Sequence, residues 1–331
     1  MLYVSTRNHV DSFTAYRVLH EDRAPDGGAF VPMRFSAFSA EELCRLKTSS
    51  FGEIVSTVLN KFFSTNLSAW DVEICAGRHP FKLVSMNYKM LISELWHNQN
   101  AAYAYLESRL YCKLCSDHKM AAYPKGWTRI FIRVAVICAI WGEISLAEPD
   151  IMDVTVLSDD FYDPIAFYYA KKLGLPVGQI VCVCKNNDEL WNFLRKGEIN
   201  TASLVPEYLE NLLFDKLGRE PVRAFWSAIE QKTVFQLSED QLSALREEFY
   251  VAVIGDDRTQ SLAGNIYRSS GYISDVGAAL CIGGLQDYRA KTGIIQKTLI
   301  LSNFSPALQA TELCDLLHIS QDELSRKVKN T

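Results

Sequence analysis

Between residues 51 and 63 the apolar positions recur at helical spacing. Ile54, Val55, Val58, Leu59, Phe62 and Phe63 share one side, so Phe51–Phe63 is predicted to be a helix with one buried face. Upstream, Ser39-x-x-Glu42 is a capping box that opens another helix. The stretch before it, to Pro32, reads as strand and loop and ends in the turn signal Asp26-Gly27-Gly28. Residues 86–114 read as largely helical, 116–126 as a polar turn and 127–146 as a long apolar helix. The clearest unit follows. A β-branched run at 154–157 leads to a helix at 164–173, stopped by Gly174 and Pro176. An apolar strand at 180–184 comes next, then a helix at 187–194 closed by Gly197. Strand, helix and strand at this spacing make a βαβ unit with parallel strands and a right-handed crossover. Later helices start at Ser238-x-x-Gln241, at Ser305 with Pro306, and at Ser320-x-x-Glu323, and 298–301 reads as one more buried strand. The alternation predicts an α/β fold with a mostly parallel, helix-covered sheet. No repeat or low-complexity segment interrupts it.

Composition narrows the function classes. The 331 residues are 48% hydrophobic and 22% charged, with a net charge of -5. No run of five or six like charges occurs, so no nucleic-acid partner is expected. The most apolar run, 130–141, is about a dozen residues against the ~20 a membrane span needs, and Arg133 breaks it. No membrane partner is expected either. The first ten residues mix charged and polar side chains where a leader's apolar stretch would stand, and nine cysteines are scattered without a framework. A cytoplasmic protein with thiols follows as the expectation.

The most diagnostic residues lie at the start. Tyr3-Val4-Ser5-Thr6-Arg7, then Phe13, then Pro25-Asp26-Gly27-Gly28-Ala29-Phe30-Val31-Pro32 resemble the opening of threonine synthases. In that family a Y-x-S-T-R segment and a D-G-G-L-(Y/F)-V-P segment stand at this separation. Gly126-Trp127-Thr128-Arg129-Ile130 is similar to the family's N-W-A-R-I, and Ala170-Lys171-Lys172-Leu173-Gly174-Leu175-Pro176 follows its pattern. The resemblance implies a threonine-synthase-type N-terminal domain over residues 1–85. Over 86–331 it implies a remodelled, truncated lobe of the fold-type-II pyridoxal phosphate (PLP) kind. The family's small lobe opens with T-S-G-D-T-G. That loop has no counterpart here, which places a deletion near 116–125.

The resemblance also locates the chemistry. The family's E-L-F-H-G-P-T-x-A-F-K-D, whose lysine forms the Schiff base with PLP, aligns with residues 94–105. Glu94, Leu95, His97 and Ala102 hold the frame, but Ala104 stands at the lysine and Tyr105 at the aspartate. A methyl group has no amine to condense with an aldehyde. The phosphate-cradling G-N-F-G corresponds to Asp159-Asp160-Phe161-Tyr162, where two carboxylates would face a dianion. D-P-H-T-A corresponds to 275–279, and S-T-A-x-P-x-K-F to 302–309, with Asn303 at the threonine. The expectation is a pseudoenzyme with no PLP cofactor. It would not convert O-phosphohomoserine to threonine, and would act through interaction or regulation, as a homodimer or paired with an active threonine synthase.

Two other readings stay open. One is a diverged lyase or transferase with a relocated lysine, for which Lys185, just past a strand, is best placed. The other is a sensor holding a small amine or amino acid in the emptied pocket. Its candidate residues are His97, Asn98, Asn100, Asp163, Lys185, Asn186, Asp188 and Ser302. The acids at 159, 160 and 163 open a helix, where capping and dipole compensation compete with a cation or amine site. Cys112-x-x-Cys115-x-x-His118 offers three of the about four ligands that zinc takes. Cys182 and Cys184 would complete it only if nearby; otherwise these thiols are small buried hydrophobes, and no metal is expected. No Ser-His-Asp, P-loop or dinucleotide signature occurs.

Overall fold

The computed structural model describes residues 1–8, 10–77, 80–87, 89–97, 101–115, 123–147, 151–158, 161–185, 189–202 and 208–330. The chain begins with β1 (Leu2–Ser5), which pairs antiparallel with β2 (Ser12–Thr14) and β3 (Phe30–Pro32). Between them lies α1 (Ala15–His20), in the stretch the sequence reads as strand and loop. Its six residues span less than two turns, too few for periodicity to show, and the Thr14 side chain starts it by accepting from the Arg17 amide at 3.4 Å. Then come α2 (Ala40–Leu46), α3 (Phe51–Phe63) and α4 (Ala69–Ala76). Each opens on a reciprocal capping box, at Ser39/Glu42, Ser50/Glu53 and Ser68/Asp71. The six apolar positions read from α3 are all buried.

The hairpin β4 (Lys82–Asn87) and β5 (Met90–Glu94) replaces the front of the helix expected over 86–114. Met, Leu, Ser, Glu and Lys suit a helix, but β5 pairs along its whole length with a distant strand, and tertiary pairing overrides propensity. The helix there is α5 (Tyr103–Leu114). The boundary expected after residue 85 falls inside β4. Next come α6 (Gly126–Ala147), β6 (Met152–Leu157), α7 (Tyr162–Lys172), β7 (Val177–Lys185) and α8 (Glu189–Lys196). They are followed by β8 (Glu198–Asn200), α9 (Leu209–Leu217), α10 (Arg219–Gln231), β9 (Val234–Gln236) and α11 (Glu239–Arg246). The chain closes with β10 (Phe249–Ile254), α12 (Asp256–Ser270), α13 (Val276–Thr292) and β11 (Thr298–Ser302), then a 3₁₀ turn (Pro306–Gln309), α14 (Ala310–Leu317) and α15 (Gln321–Asn330).

The central sheet has the order β10-β7-β6-β11-β5-β4, parallel except for the edge strand β4. The predicted β6-α7-β7 unit is there with its strands parallel. Alternate residues feed two cores. Val154, Val156, Leu299 and Leu301 pack with α3, α6 and α7; Ile92, Val183 and Ile300 pack with α12 and α13. From Ile130 to Trp141 every residue of α6 is buried, Arg133 included, so the apolar run is a core helix. Among the described residues no helix is long and apolar enough to cross a membrane.

Candidate functional site

The C-terminal ends of β5, β11 and β6 lie side by side, the place where parallel α/β sheets present ligands. Two helices start there, α5 after β5 and α7 after β6. The residues just upstream, Ala101 (φ 54°) and Phe161 (φ 59°), are left-handed without being glycine. The other such residues, Ser64, Lys232 and His318, terminate helices, where this conformation is ordinary. Ahead of a helix it costs an L residue of order 1–2 kcal/mol and persists because neighbouring bonds fix it. The Ser305 amide donates to the Ala101 carbonyl at 2.8 Å, and the Tyr103 amide to the Asn303 carbonyl at 2.9 Å. A bridge between Ala102 and Phe304 completes the attachment of α5 to the exit of β11. Ala104 therefore sits in the first turn of α5, held against the strand ends.

One turn deeper lies a buried ion network. Arg133 of α6 donates to both carboxylate oxygens of Glu107, at 2.7 and 3.2 Å, and its third nitrogen donates to Asp163 of α7. Arg129 Nε is 3.5 Å from Glu107, and its guanidinium lies 3.9 Å over the Tyr162 ring. The Asn303 amide donates to the other oxygen of Asp163 at 3.1 Å, while Asn303 Oδ1 is buried without a hydrogen-bond partner.

A second polar group occupies the opposite face of the sheet. The buried Glu94 carboxylate accepts from Tyr272 Oη at 2.8 Å and lies 2.8 Å from His97 Nε2. His97 stacks on Trp96 with ring centroids 4.1 Å apart. Trp96 Nε1 donates to Ser302 Oγ at 3.1 Å, and Ser302 in turn donates to Asp275. Asp275 caps α13 by accepting from the Ala278 amide at 3.0 Å. Burial pushes its carboxyl up to about 6, against the lowering effect of these bonds. Burial, followed by the neighbouring Glu94 charge, also raises the Tyr272 phenol.

The fold thus brings Ala104, His97, Phe161, Tyr162, Asp163 and Ser302 to the strand ends, with His97 and Ser302 on one face and Asp163 on the other. The Asp163 carboxylate, read as open to a cation or amine, is held by Arg133 and Asn303. Lys185 is the last residue of β7. Asn98, Asn100, Asp159, Asp160, Asn186 and Asp188 lie outside the described residues. Glu107 and Tyr272 escaped the sequence reading, which took Glu94 only as part of the motif frame and Arg133 only as a break in the apolar run. One signal was available, since a lone arginine inside a fully apolar helix needs a buried carboxylate partner. Cys112 is in the last turn of α5 and Cys115 at its C-cap, while His118 lies outside the described residues. Cys182 and Cys184 are buried inside β7, where burial pushes the Cys182 thiol up to about 12. Among the described residues no three His, Cys, Asp or Glu side chains are placed to hold a metal.

The N-terminal motif is a joint. Asp26 accepts from Ser5 Oγ at 2.8 Å and from the Gly28 amide at 2.9 Å. Arg7 donates to the Asp26 carbonyl at 3.0 Å and stacks 3.3 Å over the Trp226 ring of α10. Glu210 of α9, 1% exposed, accepts from Thr6 and from Arg23 at 2.9 Å, with Arg7 at 3.8 Å. The motif ties the first sheet to α9 and α10.

A sheet of this order, with its two helical layers, has solved counterparts. PLP-bound threonine synthase from Brucella melitensis superposes with a TM-score of 0.84 at 20% identity, covering 99% of this chain and 94% of that one. Yeast threonine synthase gives 0.79 at 16% identity over the same shares. The class is therefore the threonine synthase fold. Residues 2–78 match the family described as threonine synthase N terminus. Threonine synthase of Pseudomonas aeruginosa is 24% identical over 188 residues, 53% of this chain and 40% of that protein. Human threonine synthase-like 1 is 25% identical over 203 residues, 55% of this chain and 27% of that protein. The matches thus span less than half the length of these curated relatives. The N-terminal match and the fold agree: residues 2–78 resemble the threonine synthase N terminus, and the whole chain has the threonine synthase fold.

Proposed function

We propose that this chain is a cytoplasmic, threonine-synthase-like protein that has given up covalent PLP chemistry and acts by binding, as a homodimer or paired with an active threonine synthase. The observation that carries the reading is Ala104. The first turn of α5 keeps its attachment to β11, yet presents a methyl group where the family presents the amine. The remaining residues do not fit the cofactor. Arg133, the cation beside the start of α7, is already engaged by Glu107 and Asp163, and the segment aligned with the phosphate loop reads Asp159-Asp160-Phe161-Tyr162. An anionic phosphate there would meet carboxylates. We derive no catalytic step through PLP.

The test is to add PLP, reduce with borohydride and map adducts by mass spectrometry. No specific lysine modification is the expected result. Stoichiometric labelling of one lysine, Lys185 above all, would overturn the proposal and make the chain an enzyme with a moved anchor. Size-exclusion chromatography and a pulldown with an active threonine synthase test the binding role, which a lone monomer that captures nothing would refute. One observation favours a second reading, a small amine or amino-acid ligand. Asn303 Oδ1 is a buried acceptor lacking a donor at the emptied position. A thermal-shift panel of amino acids and amines tests this, and a flat panel removes it.

A further inference from the structure

We infer that Cys75 and Cys112 form a reversible disulfide that locks α4 to α5 when the protein meets a hydroperoxide. The two helices run antiparallel, set by three cross-contacts. Asp71 pairs with Lys113 at 2.7 Å, Arg109 donates to the Ile74 carbonyl at 2.9 Å, and Cys75 Sγ donates to the Arg109 carbonyl at 3.6 Å. Cys112 is three residues beyond Arg109, so it shares that face of α5 about 5–6 Å along. The Cys75 sulfur thus points at the turn that carries Cys112, and the bond forms when the two Cβ atoms close to about 3.5–4.5 Å. Burial raises Cys75, Arg109 and Lys113 oppose the rise, and Cys112 adds to it. Sequence spacing pairs Cys112 with Cys115, but Cys115 points elsewhere, its sulfur donating to the Leu19 carbonyl at 3.7 Å.

The two thiols differ in the way such a reaction requires. Cys112 is partly exposed and Cys75 is buried. The Cys112 thiolate attacks the outer oxygen of the hydroperoxide, the O–O bond breaks, and the leaving alkoxide takes a proton to become an alcohol. The sulfenic acid on Cys112 is then attacked by the Cys75 sulfur. The S–S bond forms, and the departing hydroxide leaves as water with the Cys75 proton. Two electrons pass from the thiols to the peroxide, and a thiol reductant reverses the bond. Because α5 also carries Ala104 and Glu107, the bond would fix the helix that borders the candidate site.

The experiment treats the full chain with equimolar hydrogen peroxide, blocks remaining thiols and maps peptides by mass spectrometry. The expected result is one crosslink joining the Cys75 and Cys112 peptides, a loss of two hydrogens, and a melting temperature raised until dithiothreitol is added. Cys112→Ser should abolish the crosslink while leaving the reduced melting temperature unchanged. A Cys112–Cys115 bridge, an intermolecular bond, or sulfinic acid at Cys112 with Cys75 still a thiol would each overturn the inference. The wild-type map decides the matter even if a Cys75→Ala variant fails to fold.

Discussion

Replacing Arg133 with methionine strips one cation from between two buried carboxylates. Glu107 is 1% exposed and Asp163 4%, so neither can recover hydration where it stands. Breaking a buried pair this way costs about 3–5 kcal/mol, because an uncompensated charge is left in a medium of low polarity. Neighbours soften the loss only in part. Arg129 is 3.5 Å from Glu107, too far for a good hydrogen bond, and Asn303 offers Asp163 a neutral amide. Unfolding entropy of roughly 2.1 cal/mol/K per residue, over 331 residues, comes to about 0.7 kcal/mol/K, so the melting temperature should fall by about 4–7 °C. Urea denaturation and calorimetry on Arg133→Met measure this. A triple variant that also carries Glu107→Gln and Asp163→Asn should recover most of the loss, since no charge is then stranded. A single-variant loss below about 1 kcal/mol, or a triple variant no better than the single, would refute the claim that charge compensation holds α5, α6 and α7 together.

Three further outcomes are expected. Asp275 holds its proton up to about 6 when folded, against an ordinary 3.8. As pH climbs through this interval the unfolded chain releases the proton first, so the aspartate lowers stability by about 3 kcal/mol at most and has no further effect above it. Asp275→Asn, which keeps an acceptor for the Ala278 amide, should therefore gain on wild type between pH 4 and 6 in chemical denaturation, and a flat difference curve would count against the buried carboxyl. Gly28→Ala would put a methyl 2.1 Å from Ser5 Oγ and 3.0 Å from Thr6 Oγ1, so the joint must open at a cost of about 1–3 kcal/mol, and unchanged denaturation would show that the motif tolerates slack. Ala101→Gly should be neutral or stabilising by up to about 1 kcal/mol, because relief of the left-handed strain outweighs the entropy glycine adds to the unfolded chain; a clear loss in denaturation midpoint would refute the strain.

The elements legible in the sequence were those whose signal is local. The capping boxes at Ser39 and Ser238 and the apolar side of α3 need only neighbours within a turn or two, and they lie where the pattern put them. The β6-α7-β7 unit was legible for the same reason, its glycine and proline stops standing next to its strands. β5 was not legible, because what makes Met90–Glu94 a strand is pairing with Thr298–Ser302, some two hundred residues away. The site divides the same way. The resemblance singled out Ala104, His97, Phe161 and Ser302 through the family's motifs, but Glu107, Arg133 and Asp163 come from three helices, and no spacing rule joins residues 107, 133 and 163. Cys75 and Cys112 likewise meet only through the packing of α4 on α5.

Under the proposed function, the polar groups around the strand ends explain how a chain of this fold can do without a catalytic amine and keep its fold. β5 is tied through Glu94 to Tyr272, β11 through Ser302 to Asp275 and through Asn303 to Asp163, and α5 through Glu107 to Arg133. Apart from Asn303 Oδ1, each buried charge or hydroxyl in this set is satisfied by another part of the chain. A lysine at residue 104 would stand in the first turn of α5, outside these ties, and its loss therefore strands no buried partner. Stability and chemistry are separable at this site, and a well-packed scaffold is no evidence that the family reaction persists. The converse also follows. Putting an amine back at residue 104 restores one group only, and the carboxylates and Asn303 would still stand where the family aligns its phosphate loop and threonine.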